Sequence, residues 1–72
     1  MKSNLTIFLK EKRKLLEITQ KDLADRAGVG LRFIRDMEQG KRSLDLSKVN
    51  QVLLLFGYEM GPVRISRKRD DE

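Results

Sequence analysis

Arg32 and Arg35 stand three residues apart, and Lys41-Arg42 follows shortly after them. On a helix that spacing puts both guanidinium groups on one face. Fixed cations of this kind capture anions. Across the chain, sixteen Lys and Arg oppose eleven Asp and Glu, a net charge of +5 over 72 residues. A small basic domain suits a polyanion such as DNA or RNA, whose counterions are released when phosphates are neutralised. A soluble surface with a lysine excess is the other reading of the same charge. Covalent chemistry has little material here. The absence of histidine removes the usual general base and the commonest metal ligand. The absence of cysteine removes a thiol nucleophile, a thiolate metal site and a disulfide framework. Asp70, Asp71 and Glu72 form a charge run at the end of the chain, unlike a spaced acid/base pair. No enzyme, cofactor or metal site is expected. Aromatic residues make up only 6% of the chain and none is Trp, which disfavours a stacking platform for single strands or RNA.

The cations need elements to carry them. A chain of this length is one small domain, and it buries only about 60% of the surface its unfolded form exposes. Dimerisation is an obvious remedy for so thin a core. No apolar run approaches the roughly 18 residues that would span a membrane. The N-terminal MKSNLTIFLKEKRK is too interrupted for a signal peptide, so the expected location is cytoplasmic. Gly28, Gly30, Gly40, Gly57, Gly61 and Pro62 divide the chain into short pieces. Leu5, Phe8, Leu9, Lys12, Leu15 and Leu16 recur at helical spacing and predict a helix from Leu5 to Glu17, capped by Asn4 or Thr6. Thr19-Gln20-Lys21-Asp22 is a capping-box pattern that opens a second helix. Leu23, Ala24 and Ala27 form its narrow inner face, and Gly28 ends it. A third helix runs from Leu31 to Gln39 with Ile34 and Met37 inward and Phe33 flanking, and Gly40 stops it. Ser43 or Asp45 caps a fourth from Leu46 to Phe56, whose inner residues are Val49, Val52, Leu53 and Phe56. Leu54 and Leu55 make that helix apolar nearly all round, so it needs cover on a second face. Tyr58–Ile65 alternates loosely and reads as a short strand, interrupted by Gly61 and Pro62. Ser66–Glu72 reads as a disordered charged tail. The expected organisation is a domain over 1–57, a strand segment over 58–65 and a tail over 66–72.

Two short helices joined by a tight glycine-containing turn make a helix-turn-helix. Ala24 is small where the helices cross, Gly28 supplies the turn, and Val29, Ile34 and Met37 fill the space beneath the second helix. Thr19-Gln20, Leu23-Ala24, Ala27-Gly28-Val29 and Met37-Glu38-Gln39-Gly40 also fall at matching spacing. Residues 5–57 thereby resemble the Xre/Cro-type helix-turn-helix domains of bacterial and phage repressors. The resemblance implies an all-α, lambda-repressor-like domain of four to five helices. In that family the second motif helix lies in the major groove and its first turns read base edges. Carried over, the base readers are Gly30, Leu31, Arg32 and Arg35. Either arginine suits a bidentate contact to guanine, with a phosphate contact or a solvated charge as the plainer alternative. Leu31 would pack on a thymine methyl. Thr19, Gln20, Lys21, Lys41 and Arg42 fall to the phosphate backbone. In such repressors the glutamine also braces the recognition helix, and Lys21 and the 41–42 loop read almost as well as plain solvated surface. Arg13 and Glu38 are implied as a structural ion pair. Glu17 departs from the pattern, which usually has glycine there, and this puts the geometry of that loop in question.

The stretch LDLSKVNQVLLLFGYEMGPV resembles the end of HipB-type antitoxins. There the fourth helix is followed by a short strand that pairs with its mate across a two-fold axis. The implied dimer interface is Leu54, Leu55, Phe56, Tyr58, Met60 and Val63, unless these residues fold back on their own core. The function implied is a sequence-specific transcriptional repressor that binds a palindromic DNA operator as a homodimer. Its further role would be as antitoxin to a HipA-like serine/threonine kinase toxin. The alternatives are a stand-alone Xre-family regulator and a protein-interaction module that has lost DNA binding. Retention of Arg32, Arg35, Lys41 and Arg42 argues against the last.

Overall fold

The computed structural model describes residues 4–64. It contains α1 (Asn4–Leu16), α2 (Gln20–Ala27), α3 (Leu31–Gln39) and α4 (Leu46–Leu54), and no strand among the described residues. The expected tail over 66–72, and Ile65 of the expected strand, lie outside that range.

The core is small and apolar. Leu9, Leu23, Ala24, Ala27, Ile34, Met37, Val49, Val52 and Leu53 are buried. Each of the four helices therefore contributes the inward residues of a 3.6-residue period. Two buried residues, Thr6 and Glu38, are polar and so escape an apolar pattern. Thr6, a capping candidate by sequence, lies inside α1 and its hydroxyl donates to the Met37 carbonyl at 2.9 Å, joining α1 to the last turn of α3. The expected stripe on α1 also ends early. Leu15 is 74% exposed and Leu16 is half exposed. The inward position at that end belongs to Arg13, which reaches the Ile18 carbonyl and Glu38.

All four helices lead into a left-handed residue whose successor's N–H reaches back to a carbonyl five residues earlier; that residue directly follows α1, α2 and α3, and follows α4 after one tightened turn. The bonds are Ile18 to Arg13, Val29 to Ala24, Lys41 to Asp36 and Tyr58 to Leu53. Three of the left-handed positions are Gly28, Gly40 and Gly57; the fourth is Glu17 at φ +55°. A side chain there costs about 1–2 kcal/mol that glycine does not incur. Glycine gives part of this back through its freer unfolded chain. Glu17→Gly is therefore expected to raise stability by about 1 kcal/mol, read as a higher denaturation midpoint with unchanged slope. Unchanged or lower stability would show that the loop carries no such strain.

The N-termini are capped as the sequence suggests. Thr19 Oγ1 accepts from the Asp22 N–H at 3.0 Å, and the Asp22 carboxylate accepts from the Thr19 N–H at 3.2 Å. Of the two candidates for α4, Asp45 is the cap, accepting from the Ser47 and Lys48 N–H groups. The last turn of α4 tightens into bonds from Leu55 to Val52 and from Phe56 to Leu53, so the helix ends at Leu54 rather than at Phe56.

Residues 58–64 make no strand within the chain. The Met60 N–H donates to Asn50 Oδ1 at 2.7 Å, which folds the segment against α4. Tyr58 stacks edge-on to Phe8, with centroids 4.7 Å apart, and Phe56 packs on the same ring at 6.1 Å. Lys12 lies over both the Phe8 and Tyr58 rings at 5.5 Å. A strand that pairs only with a second copy has no ladder in a single chain.

Candidate nucleic-acid interface

The outer side of α3 is polar because its inner side is not. Ile34 and Met37 are buried, and Phe33 and Leu31 are half-buried against the core. The positions left outward are Arg32, Arg35, Asp36 and Gln39, a stripe at steps of three and four. These four side chains line one shallow groove of about 190 Å³. Neither arginine has an ion-pair partner among the described residues. Both guanidinium forks therefore remain available to an external acceptor.

Leu31, expected from the resemblance to pack on a base, is half-buried at the start of α3. It sits in the first turn beside the inward positions and packs partly on the core. Gly30 is the N-cap residue of α3, in extended conformation at φ −76° with no side-chain cap. A Cβ built there would meet nothing within 4 Å, so the backbone at the tip of α3 is open to close approach.

The far side of α3 is anchored by a buried charge. Glu38 is only 3% exposed. Its carboxylate accepts from Arg13 Nε at 2.7 Å, Arg13 Nη2 at 3.0 Å and Gln20 Nε2 at 3.0 Å. Arg13 Nη1 donates to the Ile18 carbonyl at 3.1 Å. One fork thus ties α1, the α1–α2 loop and α3 together, and Gln20 adds the first residue of α2. Burial pushes the Glu38 carboxyl up, but the hydrogen bonds from Arg13 and Gln20 and the charges of Arg13 and Lys10 outweigh it. The carboxyl is held below its ordinary 4.5. Asp22 is likewise held below 3.8, chiefly by the Thr19 backbone N–H and then by the Thr19 side chain.

The Gln20–Glu38 bond sets the N-terminus of α2 beside the last turn of α3. Gln20 thus meets the end of α3 after which Gly40, Lys41 and Arg42 follow. The Gln20 amide nitrogen is spent on Glu38, which makes bracing its visible role. Thr19 Oγ1 serves the cap and keeps its hydroxyl proton. Lys21 pairs with Asp25 at 3.3 Å, and Lys41 with Asp36 at 3.5 Å. Such exposed pairs are worth about 0–1 kcal/mol and exchange readily for phosphate. Arg42 is exposed with no ion-pair partner among the described residues.

Asp36 and Gln39 do not stand out in the sequence as site residues. The signal is nevertheless there, since they stand four and seven residues after Arg32. A carboxylate among cations reads at first as surface balance, and only the helix orientation puts it in the groove.

Away from α3, Leu54 is 71% exposed and Val63 is 84% exposed, with Leu55, Tyr58 and Met60 about half exposed. Phe56, expected with them at a dimer face, is half-buried within its own chain against Phe8. No helix among the described residues is long and apolar enough to cross a membrane.

Residues 9–63 match the helix-turn-helix family. The chain belongs to that family. It is also 51% identical over 45 residues to a protein of Sinorhizobium fredii described as an uncharacterized HTH-type transcriptional regulator, y4mF. That similarity covers 62% of this chain and 59% of the relative's length. No solved structure matches the chain.

Proposed function

We propose that this helix-turn-helix protein is a sequence-specific DNA-binding transcriptional regulator that sets α3 into the major groove. The observation that carries this reading is the outer stripe of α3. It presents Arg32 and Arg35, with no ion-pair partner among the described residues, on a helix locked from behind by the Arg13–Glu38–Gln20 network. The guanidinium fork matches the O6/N7 edge of guanine. Lys41, Arg42, Lys21 and the N-terminus of α2 with Thr19 supply the phosphate contacts that hold the register. The description of the Sinorhizobium fredii relative accords with this. Selection of bound duplexes from a randomised pool tests it. An enriched consensus with two-fold symmetry is expected, and failure to enrich any sequence overturns it.

The proposed regulator represses from a palindromic operator as a homodimer. Two copies would place their α3 helices about 34 Å apart, one turn of duplex. The exposed Leu54, Leu55, Tyr58, Met60 and Val63 support a dimer face, because a chain this small leaves them uncovered alone. The short strand from Tyr58 onward would pair across the axis. At micromolar concentration sedimentation is expected to give twice the 8.4 kDa monomer mass, and a lone monomer would remove the homodimer from the reading.

The resemblance of the C-terminal stretch extends the proposal to an antitoxin that binds a HipA-like kinase toxin in the cytoplasm. The alternative is a stand-alone Xre-family regulator. Purification from the native host separates the two: a co-purifying kinase supports the antitoxin, and regulator alone supports the second.

A further inference from the structure

We infer that Asp36 is a specificity-determining residue that selects a base pair by rejecting acceptor-only edges, and that cytosine is the base it accepts. The inference rests on the proposed placement of α3 in the major groove.

A carboxylate is an unexpected neighbour for a polyanion. Every Asp or Glu turned toward DNA opposes the attraction of phosphate for the surrounding cations. The other acidic residues of the helix-turn-helix do not line the groove that holds Arg32 and Arg35. Asp22 closes the α2 capping box, Asp25 pairs with Lys21 on exposed surface, and Glu38 is buried on Arg13. Asp36 caps no helix and lies in the outward stripe, lining the same groove as Arg32, Arg35 and Gln39. It stands one turn beyond Arg32 on the side of α3 away from Arg35. Its side chain, 22% exposed, pairs with Lys41, whose side chain is 53% exposed and whose Nζ lies at the 3.5 Å limit of a hydrogen bond. That contact softens the charge without occupying both oxygens.

An ionised carboxylate accepts hydrogen bonds and donates none. In the major groove, guanine shows two acceptors, thymine shows an acceptor and a methyl, and adenine pairs a donor with an acceptor. Cytosine shows an N4 donor. Asp36 therefore meets repulsion or an unpaired desolvated oxygen at guanine and thymine. Only cytosine satisfies it without an adjacent acceptor on the same base. Arg32, one turn earlier, has the opposite preference and takes guanine. Discrimination then comes from a repulsive element as much as an attractive one, at a cost in general affinity.

The test runs duplex selection from a randomised pool on the wild-type protein and on Asp36→Asn side by side. Titrations of the wild-type consensus and of a scrambled duplex at two salt concentrations accompany it. Asparagine keeps the size and removes the charge. In the variant, preference at one symmetry-related position is expected to fall about tenfold, while the rest of the consensus stays. Affinity for the scrambled duplex is expected to rise. An unchanged consensus, or a consensus lost at every position, overturns the inference. A wild-type protein that enriches no sequence overturns instead the DNA-binding proposal beneath it.

Discussion

Replacing Arg13 with methionine is expected to cost about 3 kcal/mol of folding stability at neutral pH, a large share of what so small a domain possesses. The reason is asymmetry in burial. Arg13 is 23% exposed at its side chain, whereas Glu38 is 3% exposed. Removing the arginine strands a carboxylate whose remaining hydrogen-bond donor among the described residues is Gln20. Glu38→Gln is the milder change, at about 1–2 kcal/mol, because it keeps an acceptor for Arg13 and leaves that cation partly in water. The pH dependence separates this account from simple loss of packing. In the wild-type protein the Glu38 carboxyl titrates below its ordinary 4.5, so its contribution is present above that pH and is lost as pH falls through the folded value. Without Arg13, burial is opposed only by Gln20 and Lys10, and the carboxyl is expected to shift upward. The variant's penalty is then largest at neutral pH and shrinks as Glu38 takes up a proton. Denaturation curves at pH 7 and at pH 4 measure both. A gap between the two proteins that stays constant over that range would mean the loss is packing alone.

The helices were legible because their signals are local. Apolar residues at three- and four-residue steps, the Thr19–Asp22 box and glycines at left-handed positions act within one or two turns. The structure places α3 between the residues the sequence suggests. The Arg13–Glu38 contact was legible only through family resemblance, since nothing in the spacing of positions 13 and 38 predicts it. Leu15 and Leu16 misled for the opposite reason. Periodicity reports which face of α1 is apolar, not where its neighbours stop, and Arg13 takes the inward position at that end. Thr6 was hidden by its type, because a threonine near a helix start reads as a cap until a distant carbonyl is seen to need its proton. Asp36 shows the limit for the site. Which outward residues share a groove depends on how α3 is rolled against the core, and that roll is set by Ile34, Met37 and Glu38 together.

Arg32→Ala and Arg35→Ala are expected to weaken binding to the selected operator while leaving the fold intact. A bidentate arginine–guanine pair is worth about 1–3 kcal/mol. A homodimer carries each substitution twice, so the penalty on a full palindrome is about 2–6 kcal/mol, provided the half-sites act independently. Stability should move by no more than about 0.5 kcal/mol, since both side chains are exposed with no ion-pair partner among the described residues. Lys41→Ala provides the contrast. Lys41 follows the stripe and is proposed to contact the backbone rather than a base edge. Its removal should therefore weaken operator and scrambled DNA alike and reduce the salt slope by about one unit per phosphate neutralised. Titrating all three variants on both duplexes at two salt concentrations separates the roles. Arginine variants that bind scrambled DNA as poorly as they bind operator would mark those side chains as phosphate contacts. The reading of base sequence would then have to pass from the outer stripe of α3 to another part of the chain.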